Sequence, residues 1–291
     1  MQTLQLLVSG LAQGLIYALL AFGYNITFAT SRTFNFALGS FLMFGGVLGV
    51  VLYMNHAQPF WLVLPAVLAA GAVGGFVLEK VAIQPSLKTR SAYNWILATL
   101  AVGIVLRNAV EVFWSTDDFR LHSPVGDDPI RLGSVGIFPQ ELLIIASAVI
   151  VVFAVELFKR KTIFGKAVQA VSEDRDTASL MGIDQGFVIR TSFMLSSAMA
   201  CFAGLLVGPV TLVSATMGTV LGVKAYAVSI IGGLESSYGV LIGGAILGLS
   251  ESLTARYLST GYRDIPGFLL LILVLLFRPS GLFGRASIQK V

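Results

Sequence analysis

Charge is scarce in this sequence. Asp, Glu, Lys and Arg make up 12% of its 291 residues against 56% hydrophobic residues, and the mean hydropathy is +0.86. Globular soluble domains carry about a quarter of their residues as charges, so a soluble fold is excluded and the chain belongs in lipid. Cysteine is limited to Cys201, inside an apolar stretch, which excludes an internal disulfide and a thiolate metal cluster. The two histidines, His56 and His122, both fall between apolar runs. No GxxxxGK[ST] phosphate cradle occurs: Gly165-Lys166 is followed by Ala167, and no glycine stands five residues before Gly165. HExxH and GxSxG are missing as well, so the chain offers no catalytic site and no metal or cofactor site of its own.

What is present is a series of apolar runs. They lie at about Leu4 to Thr30, Phe34 to Met54, Phe60 to Val81, Trp95 to Trp114, Leu142 to Phe158, Val188 to Val207, Met217 to Gly233, Tyr238 to Leu258 and Ile265 to Phe277. A crossing helix needs about 20 residues, so the fold class is all-α, a polytopic transmembrane helical bundle of eight or nine spans. Pro209 and the pair Gly232-Gly233 mark the places for broken or re-entrant helices. The first run lacks a basic leading segment and a small-residue cleavage site, and reads as a retained helix. Glycines recur at four-residue spacing in Gly10/Gly14, Gly45/Gly49, Gly71/Gly75, Gly204/Gly208, Gly218/Gly222, Gly239/Gly243 and Gly244/Gly248. That spacing stacks them on one helix face and predicts close helix packing.

A net charge of +4 and a pI near 9.3 could suggest nucleic acid, but the basic residues sit in short segments between spans, where orientation explains them. Lys80, Lys88 and Arg90 follow the third span; Lys159, Arg160, Lys161 and Lys166 follow the fifth; Arg278, Arg285 and Lys290 close the chain. These segments are predicted cytoplasmic. Ser115 to Ile137 carries Asp117, Asp118, Asp127 and Asp128 against Arg120 and Arg131, a net of −2, and is predicted to face outward. Nine simple crossings would place the amino terminus outside, whereas eight with one re-entrant segment would place both termini inside.

Phe164 to Asp184, FGKAVQAVSEDRDTASLMGID, is long and polar for a loop between spans. Ala167, Val171, Ala178, Met181 and Ile183 suggest two short helices, with Ser172 to Arg175 between them and Gly182 as a stop. Such a pair can dock into a partner's groove or lie on lipid headgroups.

At these residues the sequence resembles the coupling loop of permeases for branched-chain amino acids. The likeness extends to GLIYALLAFGYNITFATSRTFNFALGSFLMFGG, to LGVKAYAVSIIGGLESSYGVLIGGAILGLSES and to the closing LLFRPSGLFG. Four motifs in order over nearly the whole chain identify it as similar to the amino-acid and amide permease family of ABC importers, nearest the shorter permease subunit. The resemblance implies one transmembrane permease domain over residues 1–291, with residues 159–185 as its cytoplasmic coupling loop. It further implies a bacterial inner-membrane importer working by alternating access. The partners would be a second homologous permease, two ATPase subunits that hold ATP and Mg, and an extracytoplasmic solute-binding protein, with lipid around the bundle and no nucleic acid.

By the same resemblance Glu173, Asp174, Arg175, Ala178 and Gly182 should touch the ATPase, and Tyr17, Asn35 and Phe36 belong to the translocation pathway. Asn35 can equally be a helix cap. Leu38 departs from the many branched-chain relatives with a histidine there, so urea, short amides and small organic acids stay beside amino acids as solutes. Among ionisable residues within spans, Arg107 and Glu111 are spaced to pair on one helix face, and Lys224 and Glu251 can pair with each other or with the partner permease, or form a proton relay as coupling groups of an ATP-independent secondary transporter. Glu235 is a further intramembrane candidate.

Overall fold

The computed structural model describes residues 2–88, 93–114, 117–132 and 135–284. Twelve α-helices are found among them: α1 (Gln2–Ser31), α2 (Leu38–Gly49), α3 (Phe60–Leu78), α4 (Gln84–Lys88), α5 (Asn94–Phe113), α6 (Pro139–Lys161), α7 (Ile163–Glu173), α8 (Arg175–Leu180), α9 (Gln185–Val207), α10 (Met217–Gly232), α11 (Ser237–Tyr257) and α12 (Ile265–Phe277). A small antiparallel hairpin, β1 (Ile130–Leu132) with β2 (Val135–Ile137), interrupts the link from α5 to α6. Arg90, Arg285 and Lys290, assigned above to basic segments, lie outside the described residues.

Among the described residues eight helices are long and apolar enough to cross a membrane, and α10 is a ninth, shorter apolar helix. The all-α polytopic bundle expected from the apolar runs is therefore the observed architecture. Both expected interruptions lie between helices: α9 stops at Val207 just before Pro209, and Gly233, at φ +100°, ends α10. Two features are absent from the sequence reading. Single π-helical stretches, Val50–Asn55 and Glu79–Ile83, prolong α2 and α3, and turns of that kind leave no mark in an apolar composition.

Glycine sets the helix spacing, and every pair named above packs inside this chain. Gly14 on α1 abuts the carbonyl of Gly244 on α11, and a Cβ on Gly248 would stand 2.5 Å from the Gly14 Cα. Contact order along the two helices is reversed, so α1 and α11 are antiparallel. Gly45 of α2 lies on Cys201 and Gly49 on Leu205 of α9, in the same order along both helices, a parallel pairing. Gly71 and Gly75 of α3 meet Ala198 and Phe193 of α9 in antiparallel sense. Burial gives little between helices in lipid, so this backbone proximity, with its dispersion contacts, is what holds the bundle.

Polar contacts then fix the two ends. Ser9 of α1 donates to Glu141 at the start of α6 (2.5 Å), whereas Ser237 at the start of α11 donates to Glu156 near the end of α6 (2.7 Å). Arg32, after α1, pairs with Glu235 (2.9 Å), so the end of α1, the end of α6 and the start of α11 share one end of the bundle. Lys159, Arg160 and Lys161 lie there. At the other end Phe119, in the acidic segment after α5, forms an isolated bridge with Val213. The irregular segment 208–216 and α10 together lead the chain from that acidic end back to the basic one.

Candidate functional site

Three arrangements of side chains stand out, and each rests on a different part of the bundle. The first is a half-open cavity of about 300 Å³ between α2, α5 and α10. Its floor is made by glycines: Gly39, Gly103, Gly218 and Gly222 bring the three backbones together and leave room between them. Phe36, Tyr24 and Tyr226 form its aromatic end, Leu100, Ile104 and Val223 its aliphatic wall, and Arg107 its one charged lining residue. The rings are ordered against each other: Phe36 stacks on Trp95 (6.1 Å, 4°), Phe34 meets Tyr226 edge-on (5.1 Å, 83°), and Phe28 stacks on Phe34 (4.7 Å, 24°).

Of the three expected pathway residues, Phe36 lines this cavity. Asn35 does not. It is fully buried, its Oδ1 accepts from the Ala37 backbone N–H (3.1 Å), and its carbonyl accepts from Leu38 N–H, so it shapes the turn that starts α2. Tyr17 lies elsewhere, in the second arrangement. Arg107 and Glu111 form the expected i,i+4 ion pair at 2.9 Å, and Arg107 also lines the cavity. The aromatic and glycine content of the lining could have been noticed in the sequence, but nothing there says that α2, α5 and α10 meet.

The second arrangement is a buried ionic cluster. Lys224 of α10 lies 2.9 Å from Glu251 of α11 and 2.7 Å from Asp264, at the threshold of α12. Glu251 is 1% exposed and Lys224 11%, whereas Asp264 is 59% exposed, so the cluster runs from the interior to the surface. Tyr17 donates to Glu251 (3.0 Å), Gln13 donates to Tyr17 (2.9 Å), and Arg263 donates to Gln13 and stands 3.8 Å from Glu251. Two cations thus balance two carboxylates, which is the condition for charges to be stable away from water. Pairing of Lys224 with Glu251 was one of the alternatives open in the sequence. Asp264 and Arg263 went unnoticed because a turn between spans reads as solvated surface.

The third arrangement is the helical hairpin of α7 and α8 at the basic end. Thr162 caps α7 by accepting from Gly165 N–H (3.0 Å), and Asp174 caps α8 by accepting from Asp176 and Thr177 N–H (2.9 and 3.1 Å). Gly182 follows at φ +83°, with its N–H on the Ser179 carbonyl and that of Ile183 on the Ala178 carbonyl. The two short helices and the glycine stop are those expected. Val168, Val171, Ala178 and Val188 form a small core of their own beneath the hairpin.

That core changes the role of one residue. Ala178 is buried, so its methyl group holds the hairpin together and does not present a surface. Glu173 and Asp174 are exposed, and the Asp174 carboxyl is held below the usual carboxylate range, chiefly by the Thr177 backbone N–H. Burial, and then the nearby Arg32, lower the affinity of Arg175 for its proton, and its Nη2 has no hydrogen-bond partner. The residues that project furthest are Leu180 (88% exposed), Met181 (79%) and Ile163 (88%), of which only Met181 was singled out from the sequence, as an apolar hairpin position.

Two expectations follow for the hairpin. Gly182→Val meets no neighbour within 4 Å, so its effect is conformational: a β-branched residue at positive φ is expected to loosen the α8 stop, read as faster protease nicking near residue 182. The Asp174 cap strengthens α8 only while ionised. Its stabilisation is present above the ordinary carboxylate range and is lost as pH falls through the lowered native value, so the protection of the Asp176 and Thr177 amides, taken relative to their intrinsic exchange rate at each pH, should fall on acidification in the wild type and be low already at neutral pH in Asp174→Ala.

Eight crossing-length apolar helices among the described residues, packed around buried charges and a cavity, define a multi-pass membrane protein. A family model described as the branched-chain amino acid transport system permease component matches residues 6–277. The chain is 33% identical over 305 residues to the high-affinity branched-chain amino acid transport system permease protein LivH of Escherichia coli K12, covering 99% of this chain and 97% of that one. It is 30% identical over 301 residues to BraD of Pseudomonas aeruginosa, covering 99% and 98%, and 25% identical over 315 residues to LivM of E. coli K12, covering 94% and 69%. The chain belongs to the family of permease components of branched-chain amino acid transport systems, and within it is LivH-like.

Proposed function

We propose that this chain is one half of the translocation pathway of an ATP-driven importer of branched-chain amino acids in the bacterial inner membrane. A second homologous permease completes the pathway, two ATPase subunits bind and hydrolyse MgATP, and an extracytoplasmic solute-binding protein delivers the solute to the acidic end. The chain itself carries no nucleotide and performs no chemistry; solute passes by alternating access. Residues 1–291 act as one permease domain, and residues 159–185 as its coupling loop.

The observation that carries this reading is the exposed apolar crest of the hairpin. Leu180, Met181 and Ile163 crown a capped, separately packed element at the basic end, which suits insertion into a groove of a soluble partner. Glu173 and Asp174, exposed where α7 turns into α8, and Arg175 after them complete the surface offered to that partner. The cavity supports the solute class: an aliphatic and aromatic wall with a single guanidinium fits a carboxylate with an apolar side chain better than urea or a short amide. A secondary transporter would leave the crest without a use, and Lys224 is already held by two carboxylates.

Co-purification tests this. Leu180→Asp with Met181→Asp is expected to leave the tagged chain folded and bound to its partner permease while recovered ATPase falls at least tenfold. Undiminished ATPase recovery would contradict the placement of the interface. A chain whose crest rests on headgroups would give that second result.

Arg107→Ala should separately impair solute handling. With the cavity left uncharged, uptake of leucine is expected to fall about tenfold at low concentration, since a charged hydrogen bond contributes about 1.5–3 kcal/mol. ATP hydrolysis by the assembly without solute should be unchanged.

A further inference from the structure

At the basic end of the bundle one side chain touches both the hairpin and the transmembrane helices. The guanidinium of Arg32 donates from Nη2 to the Ser172 carbonyl at the end of α7 (2.8 Å) and from Nη1 to Glu235 in the turn between α10 and α11 (2.9 Å). Its carbon Cζ also stands 5.6 Å from the centre of the Phe28 ring. A lysine could make one of these polar contacts; the fork of a guanidinium makes both at once.

The backbone at Arg32 is held at φ +52°, in the left-handed region that a long side chain rarely adopts. Such a conformation persists where surrounding contacts impose it, and here it turns the chain sharply at the end of α1 and directs Arg32 toward the hairpin. Ser31 and Thr33, on either side, share a hydroxyl contact of 2.6 Å that fixes the turn. Burial, and then the charge of Arg32, disfavour the protonated form of Arg175 in the same hairpin.

Beyond Arg32 the contacts run directly into the cavity wall. Phe28 stacks on Phe34, Phe34 meets Tyr226 edge-on, and Tyr226 and Phe36, 5.7 Å apart, line the cavity. On the other branch Glu235 follows α10, whose residues form one side of the same cavity, and Asn25 of α1 binds both the Gly233 carbonyl (3.0 Å) and the Ser229 hydroxyl (2.6 Å) just before it.

We propose that Arg32 is a positioning residue that couples the α7–α8 hairpin to the cavity wall, so that a displacement of the hairpin moves the Phe34/Phe36/Tyr226 rings and the end of α10 together. This rests on the importer reading, in which a docked ATPase supplies the displacement. Arg32 lies within the motif SRTFNF, of which the resemblance assigned only Asn35 and Phe36, and it touches neither solute nor nucleotide.

The test uses the whole assembly in proteoliposomes and compares wild type, Arg32→Ala, Arg32→Lys and Glu235→Gln for three readouts: ATPase recovered with the chain, ATP hydrolysed, and leucine taken up per ATP. With Arg32→Ala, recovery and hydrolysis should stay within about twofold of wild type while uptake per ATP falls at least tenfold. Arg32→Lys, able to make one of the two polar contacts, and Glu235→Gln, which keeps an acceptor for Arg32 but removes the charge, should fall in between. Unchanged uptake per ATP in Arg32→Ala overturns the proposal, as does loss of ATPase recovery in both Arg32→Ala and Arg32→Lys, which would mark a merely structural contact. Absence of ATP-dependent uptake in wild type would refute the importer reading itself and is distinguishable because it precedes any substitution.

Discussion

Replacing Lys224 with Met is expected to lower the stability of the protein by roughly 3–5 kcal/mol, the usual cost of leaving a buried charge without its partner. Glu251 is almost fully enclosed, and Lys224 is its nearest cation; Arg263, at 3.8 Å and more exposed, compensates only in part. Tyr17 continues to donate, which moderates the loss without replacing a charge. Combining Lys224→Met with Glu251→Gln should recover much of the stability, because the carboxylate that lacked its partner is gone. Thermal unfolding of the purified protein in detergent gives the comparison: the single substitution should melt well below the double. Equal melting of both would show that the cluster is not held by this pair.

The second large effect concerns the glycine seam between α1 and α11. Gly248→Leu should prevent assembly of the bundle, because a Cβ alone would reach to within 2.5 Å of the Gly14 Cα, and further carbons have nowhere to go. Ordinary overpacking costs about 1–3 kcal/mol because side chains can shift, but here the obstacle is backbone and the two helices must separate. The expected result is loss of a monodisperse peak in size-exclusion chromatography. Gly261→Ala, whose Cβ would meet only the Ser259 hydroxyl at 3.9 Å, serves as the control and should behave as wild type.

The contrast between these two sites shows what a sequence discloses. The apolar runs are long enough that each of the nine marked out a helix of the structure, and four-residue glycine spacing announced close packing before any partner was known. The hairpin was legible for the same reason: caps and an αL glycine are local chemistry, written within three or four residues of where they act. Local spacing also disclosed Arg107 with Glu111.

Residues joined across the bundle were not legible. Lys224 meets Asp264 because α10, α11 and α12 pack together, and no local pattern sets a turn aspartate against a helix lysine. Asn35 was open between cap and pathway, and the contact of its Oδ1 with the Ala37 N–H depends on the turn before α2. Ala178 belonged to a motif, yet its burial depends on α9 supplying Val188 to the hairpin core. Arg32 passed unnoticed since an arginine after a span reads as an ordinary cytoplasmic anchor; its significance lies in Ser172 and Glu235, which are distant in sequence.

The central claim is that this permease moves branched-chain amino acids only when coupled to ATPase partners, and reconstitution tests it most directly. Proteoliposomes carrying the chain, its partner permease and the ATPases, with binding protein at the acidic end and MgATP at the hairpin end, should accumulate labelled leucine above the external concentration, with urea failing to compete. Omission of ATP or of the ATPases should abolish accumulation. Equal accumulation without ATP, driven by an ion gradient, would contradict the account.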